Sequence, residues 1–304
     1  MKEKVLVSTS TFADLDASPL QRLKQSGFDV TLNPHKRKLT KQELLALLPG
    51  ITGLIAGLET LDYEVMSQSD LKVISRCGAG LSNVDLEAAK KLGVKVRSTP
   101  DAPTHAVAEF TVACLLNLLR MVPQMKEDLH KGKWNKQIGL QLSGKTVLII
   151  GFGRIGRRVA QLLSSFNVRI IIVDPLLNRI DHPFELLPLD EALALADIIA
   201  LHCSGEACLL SYREFDLMKQ GVFLLNAARG GVMNEKALKK YLDDGKVAGV
   251  WLDTFEEEPY TGELSSYSQV LLTPHVGSYT KECRKEMESQ AVENLITALA
   301  EVEV

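Results

Sequence analysis

Three kinds of side chain in the C-terminal half of this chain could together move a proton and polarise a carbonyl. They are Arg229, an acid among Glu256, Glu257 and Glu258, and His275. A guanidinium can hold a carboxylate through two parallel N–H bonds and polarise the carbonyl beside it. An imidazole can donate a proton to a nascent alkoxide, or accept one in the reverse direction. A nearby carboxylate can orient that imidazole and favour its charged form. Those are the needs of hydride transfer to a 2-keto acid. Each residue alone also has a bland reading, as a surface ion pair, a solvated acidic loop or a capping group. Their placement argues for the sharper one. Arg229 follows the apolar run Val222–Leu225 through Asn226, Ala227 and Ala228. The acids follow Val247–Leu252 and Asp253, and His275 follows Val270–Leu272 through Thr273 and Pro274.

The hydride needs a carrier, and a second motif supplies a place for one. Gly151-Phe152-Gly153-Arg154-Ile155-Gly156 follows the apolar run Val147–Ile150 and opens an amphipathic helix through about Phe166. The next apolar run, Ile170–Val173, ends in Asp174, 23 residues after Gly151. Gly151 permits the tight turn, Gly153 lets backbone approach a pyrophosphate, and Gly156 lets helix and strand pack closely. The helix N-terminus offers N–H groups and positive dipole character to the phosphates. Asp174 can accept hydrogen bonds from ribose hydroxyls and repels a ribose phosphate, which favours NAD over NADP. Arg179 is the nearest downstream cation.

These motifs need strand ends to hold them, and the chain has the right rhythm. Val5–Val7, Leu54-Ile55, Val73-Ile74 and Val94–Val96 alternate with helix-like stretches at Leu20–Gln25, Gln42–Leu48 and Leu86–Leu92. Six stronger runs follow, at 147–150, 170–173, 198–201, 222–225, 247–252 and 270–272. Strands alternating with helices imply crossover units and parallel sheets, and ligands then sit beyond the carboxyl ends of the strands. Pro100 and Pro103 mark a crossing between two domains, with Thr104 placed to cap the next helix. A last helix, about Thr280–Leu299, is expected to pack back on the first domain. The reading is α/β with two domains, residues 1–99 plus 278–304 and residues 100–277.

Composition narrows the function classes. With 35 basic and 38 acidic residues the net charge is −3, so nucleic-acid or anionic-membrane binding as a main role is not expected. The five cysteines, Cys77, Cys114, Cys203, Cys208 and Cys283, form neither a disulfide framework nor a zinc spacing. No metal site is expected. No apolar run reaches about 18 residues, and no signal-peptide core opens the chain, so a reduced cytoplasmic setting is expected. His35, His130 and His182 read as surface residues. His202 and Trp251 read as structural, and His105 stands beside the domain crossing.

Taken together, these motifs resemble the NAD-dependent D-2-hydroxyacid dehydrogenases, most of all the D-3-phosphoglycerate dehydrogenase branch. The resemblance runs through almost the whole chain, from Leu71–Gly80, Asn83–Asp85 and Val107–Glu109 to the glycine motif, Asn226–Gly231, Leu252–Pro259 and Thr273–His275. It implies a Rossmann NAD-binding domain and a flavodoxin-like substrate domain, both doubly wound, with substrate in the cleft between them. It selects Glu258, which directly precedes Pro259, as the catalytic acid beside Arg229 and His275. It implies that Gly78, Ala79 and Gly80 bind the substrate carboxylate. It carries cofactor contacts onto Ala79, Gly151, Gly153, Arg154, Ile155, Gly156, Asp174, Cys203, Ala227, Ala228, Arg229, Asp253 and Gly277, with Asp253 at the nicotinamide carboxamide. It also implies a homodimer, built in part from the helix that carries Val112, Leu115, Leu116 and Leu119.

Three departures bear on the substrate. The loop Cys203–Cys208 after His202 lacks the family's proline and is shorter, which bears on Cys203 as a cofactor contact. Ile55–Glu59 stands where some phosphoglycerate enzymes carry an arginine for the phosphate, leaving Arg76, and more weakly Lys136, for that task. The sequence ends at Val304, so a serine-sensing domain like that of longer relatives is not expected. Alternative readings are a glyoxylate or hydroxypyruvate reductase, and a non-catalytic NAD-sensing protein like the family's corepressors.

Overall fold

The computed structural model describes residues 2–205 and 207–302. Glu206 of the atypical loop and the terminal Val304 lie outside them. The chain divides into two compact units, Met1–Pro103 with Tyr279–Val304, and Thr104–Ser278.

The first unit begins β1 (Lys4–Val7), α1 (Ser18–Gln25), β2 (Asp29–Leu32), α2 (Lys41–Leu47), β3 (Gly53–Ala56), α3 (Tyr63–Ser67), β4 (Val73–Arg76), α4 (Leu86–Leu92) and β5 (Lys95–Ser98). Its sheet is wholly parallel, in the order β2-β1-β3-β4-β5. That is the flavodoxin-like order, whose switch point lies between β1 and β3. Local chemistry sets the helix ends. Thr40 and Glu43 close a capping box on α2, and Asp85 accepts from Ala88 N–H to start α4, which Gly93 ends in the left-handed conformation. β2 was not expected from sequence. It is an edge strand reading Asp-Val-Thr-Leu, mostly exposed, so it shows no apolar run.

The second unit holds most of α5 (Pro103–Leu119), then α6 (Val122–His130), β6 (Thr146–Ile150), α7 (Arg154–Leu163), β7 (Arg169–Val173), β8 (Glu185–Leu186), α8 (Leu189–Leu195), β9 (Ile198–Leu201), α9 (Tyr212–Leu217), β10 (Val222–Asn226), α10 (Glu235–Asp243), β11 (Val247–Leu252) and β12 (Val270–Leu272). The seven strands are parallel in the order β12-β11-β10-β9-β6-β7-β8. This is the Rossmann arrangement, with one strand added beyond β11. The apolar runs are continuous because both faces are covered. Leu148, Ile150, Ile199 and Leu224 enter one core, while Val147, Ile149, Ile198 and Trp251 enter the other.

The chain re-enters the first unit through α11 (Lys281–Ala300), capped by Thr280, which accepts from Cys283 N–H. α11 lies against β3, β4, β5 and α1. Leu295 and Leu299 crowd Gly53, and Ser75 Oγ donates to the Ala291 carbonyl at 2.8 Å. The expected boundaries shift slightly. The division falls after Pro103 rather than Thr99, and after Ser278 rather than Gly277. α5 starts at Pro103, so Thr104 lies within its first turn and is not its cap. A proline suits that turn because its missing N–H would have had no helical partner.

Candidate active site

The second unit gathers its chemistry at the carboxyl ends of β10, β11 and β12. Asn226 ends β10, and its side chain folds the next turn on itself. Its Oδ1 accepts from Ala228 N–H at 3.0 Å, and its Nδ2 donates to the Arg229 carbonyl at 2.9 Å. Arg229 Nη1 donates to the Ala228 carbonyl at 2.7 Å. Gly230 then passes so close to the loop after β11 that a Cβ would fall 1.8 Å from the Phe255 carbonyl carbon. This contact needs glycine and brings the arginine turn against the acidic loop.

Within that loop the three glutamates separate by geometry. Glu256 exchanges hydrogen bonds with Glu235 at the start of α10, each backbone N–H donating to the other's carboxylate at 2.9 and 3.1 Å. Glu258 instead faces His275. The Nδ1 of His275 lies 2.9 Å from Oε2 and 3.1 Å from Oε1, and Phe255 N–H donates to Oε1 at 3.2 Å. Both side chains stay about a third exposed, so the pair is open to a ligand. Nδ1 carries its proton toward the carboxylate, which leaves Nε2 as the nitrogen that can exchange a proton elsewhere.

Asp253 sits beneath this pair, 2% exposed. Its Oδ1 accepts from the Thr273 hydroxyl at 2.6 Å and Val276 N–H at 2.9 Å, and its Oδ2 accepts from Gly277 N–H at 2.8 Å. Burial pushes its pKa above the usual carboxylate value, against the pull of those donors and of His275. Gly277 is buried against this carboxylate, 3.0 Å from where its Cβ would be.

The glycine turn between β6 and α7 shows a different demand at each glycine. Gly151 has φ +92°, and a Cβ there would lie 2.5 Å from the backbone of Cys203. At Gly156 a Cβ would lie 2.1 Å from the Gly151 carbonyl oxygen. Gly153, at the start of α7, is exposed and has nothing within 4 Å of its Cβ position. Two glycines therefore serve the fold, and the third leaves backbone N–H groups open to an incoming anion. That opening at the N-terminus of a 10-residue helix fits a dinucleotide pyrophosphate. Asp174 stands at the end of β7, where its Oδ2 accepts from Phe152 N–H at 2.7 Å and its Oδ1 from Leu176 N–H at 2.9 Å. A carboxylate has about four acceptor positions, so these bonds aim it and leave capacity for ribose hydroxyls. Arg154 is exposed, Ile155 and Ala227 are half-buried, and Ala228 is buried. Cys203 is half-buried, and burial raises its thiol pKa.

In the first unit two residues of the turn after β4 have partners within the fold. Gly78 N–H donates to Thr99 Oγ1 at 2.8 Å, so that N–H already has a partner within the fold. Its φ of +144° and the Arg76 guanidinium, 1.3 Å from a Cβ position, explain the glycine. Arg76 is buried, with Nη1 donating to the Cys77 carbonyl at 2.6 Å. The charge lies under the turn. Ala79 is exposed and Gly80 half-buried in the same turn. Asn83, with bonds to the Gly57 and Glu59 carbonyls at 3.2 and 2.7 Å, braces the neighbouring loop. Glu59, expected only as a departure, is 1% exposed and accepts from Ser8 Oγ and from Gly57 N–H. Nothing in its sequence context signals that burial.

Residues 112–277 match the family model described as the D-isomer specific 2-hydroxyacid dehydrogenase NAD binding domain. The chain is 37% identical to D-3-phosphoglycerate dehydrogenase of Homo sapiens over 305 residues, covering 95% of this chain and 56% of that one. It thus spans little more than half the length of that relative. It is 36% identical to a hydroxypyruvate reductase of Thermotoga maritima over 273 residues, covering 86% of this chain and 89% of the relative. Among solved structures, a protein of Thermus thermophilus superimposes with a TM-score of 0.89 at 34% identity, covering 98% of this chain and 97% of that one.

Proposed function

This chain belongs to the D-isomer specific 2-hydroxyacid dehydrogenase family, and from that premise we propose that it is an NAD-dependent oxidoreductase acting on a small D-2-hydroxy acid or the matching 2-keto acid. The observation that carries the reading is the His275–Glu258 pair, held at 2.9 Å beside the Arg229 turn.

When bound, NAD supplies or accepts the hydride at C2 of the substrate. The chain's residues do the rest. The first N–H groups of α7 hold the pyrophosphate, and Asp174 accepts from the ribose. Arg229 binds the substrate carboxylate and polarises the adjacent carbonyl, a contact that strengthens as charge develops on the oxygen. In reduction Nε2 of His275 donates the proton to that oxygen, and in oxidation it accepts it. Glu258 fixes the tautomer and balances the charge formed on the ring. The turn at Ala79 and Gly80, with the Arg76 charge beneath it, offers an anion a second place to bind.

The candidate substrates are 3-phosphoglycerate and the glyoxylate and hydroxypyruvate class. A panel of 2-keto acids with NADH, and of D-2-hydroxy acids with NAD, tests the reading. NAD binding without turnover of any acid would refute it. We also propose a homodimer. Trp134 and Ile138, 80% and 95% exposed in the segment after α6, are apolar surface that a second copy would cover. Light scattering that gives a monomer at micromolar concentration would exclude it. We also propose a reduced cytoplasmic setting, on the small, odd number of scattered cysteines.

A further inference from the structure

His275 has a supporting frame as well as a partner. Its backbone is in the left-handed region, φ +52°, where a side chain with a Cβ is uncommon. Its N–H donates to the Thr273 carbonyl at 2.9 Å. The residues around it are then tied to one buried carboxylate, because Thr273, Val276 and Gly277 all donate to Asp253. The Thr273 hydroxyl could in principle turn either way. Trp251 removes that freedom, since its Nε1–H donates to Thr273 Oγ1 at 2.9 Å. An indole N–H only donates, so Oγ1 must accept there and direct its own proton to Asp253. The indole is itself fixed, fully buried in β11, with Phe110 edge-on at 5.1 Å.

We propose that Trp251 and Thr273 are positioning residues for proton transfer, acting through Asp253 to hold the His275 backbone so that its imidazole keeps both its bond to Glu258 and its aim at the substrate oxygen. The strand therefore delivers order to the loop along a directed chain, from Trp251 Nε1–H to the Thr273 hydroxyl to the Asp253 carboxylate. The proposal rests on the proton-transfer role given to His275 above. Proton transfer is sensitive to such placement, because an error of about 1 Å can cost roughly 100-fold in rate.

Thr273→Val keeps the shape and removes the hydroxyl, while Thr273→Ser keeps the hydroxyl. Two readouts separate this inference from the functional reading. The first needs no turnover: the proton NMR signal of the His275 Nδ1–H that bonds Glu258. It should shift or broaden in Thr273→Val and persist in Thr273→Ser. The second is steady-state reduction of the best keto acid from the panel. There kcat should fall at least about 10-fold in Thr273→Val and return to within about threefold of the parent in Thr273→Ser, with NADH affinity changed less than about threefold. An unchanged His275 signal in Thr273→Val overturns the inference whatever the activity. So does a moved signal with unchanged kcat, or a loss confined to the KM for NADH. If the parent turns over no acid, the functional reading fails while the NMR result still decides whether the relay positions His275. Should Thr273→Val not fold, Trp251→Phe removes the directing N–H and keeps a large ring, and an undisturbed His275 signal there is equally fatal.

Discussion

Replacing Gly153 by alanine should leave stability nearly unchanged and make the protein a poorer NAD binder. Gly153 has φ −74° and ψ −158°, a conformation open to alanine, and no atom lies within 4 Å of the new methyl. Restricting the unfolded chain in this way typically stabilises by about 0.4–1 kcal/mol, while alanine at this N-cap position costs about as much, so Tm should move by no more than about 3 °C. The same methyl adds bulk at the residue that opens α7, where a phosphate would approach the first N–H groups. Loss of one hydrogen bond to a charged phosphate costs about 1.5–3 kcal/mol, or roughly 10- to 150-fold in Kd. Gly156→Ala is the control. Its Cβ would lie 2.1 Å from a backbone oxygen, and overpacking of that kind costs about 1–3 kcal/mol. Thermal melts without cofactor and calorimetric titration with NADH read the two effects separately. The reasoning is refuted if Gly153→Ala is destabilised as much as Gly156→Ala, or binds NADH as tightly as the parent.

His275→Ala should nearly abolish turnover while NADH binding, measured by fluorescence, survives, because the phosphates and ribose are held at α7 and Asp174. Glu258→Gln keeps a hydrogen-bonding group beside Nδ1 but removes the charge that balances imidazolium, so kcat in reduction should drop by roughly 100-fold or less; an undiminished kcat would move that role to another group. Arg229→Ala should lower kcat by about 100- to 1,000-fold, with Arg229→Lys only a partial rescue because the two-pronged contact is lost; a change in KM alone would make Arg229 an anchor and nothing more. Both ring nitrogens of His202 are buried without a partner, and desolvation lowers its pKa to about 4. The folded pKa lies below the unfolded value of 6.5, so stability is unaffected above pH 6.5 and falls as pH drops toward 4. The full cost is about 3 kcal/mol, and His202→Leu should flatten that limb in denaturant titrations taken from pH 7 to pH 4.

What could be read from sequence was what short stretches decide for themselves. The strands of the second unit are continuous apolar runs, so buried β9, largely buried β11 and the half-buried edge strand β12 are bounded as those runs suggest. Arg229, an acid among Glu256, Glu257 and Glu258, and His275 could be grouped because a parallel sheet sends the residue after each strand to the same edge. Choosing among the three glutamates was beyond spacing alone. It depends on Glu235, 21 residues before Glu256, drawing that side chain to α10. β2 escaped because an exposed edge strand has no need of an apolar run.

The harder residues are those whose neighbours come from elsewhere in the chain. Gly78 looked like a backbone donor for an anion, and its glycine does reflect a close approach. The approaching group is the chain's own Arg76, and the N–H is already taken by Thr99, 21 residues on. A glycine therefore signals that something comes near without saying what. Asp253 poses the same problem in reverse. Its position after β11 marks it for the site, but its three donors come from 20 to 24 residues downstream. With Oδ1 taken by two of them and Oδ2 by one, any ligand contact it makes must share a carboxylate that is also holding the loop of His275. A ligand held by Asp253 and the placement of His275 would then be coupled through one side chain, and substitutions at Asp253 would not separate them. Substitutions at Thr273 and Trp251 can, because these two residues act on that carboxylate from the side of the fold.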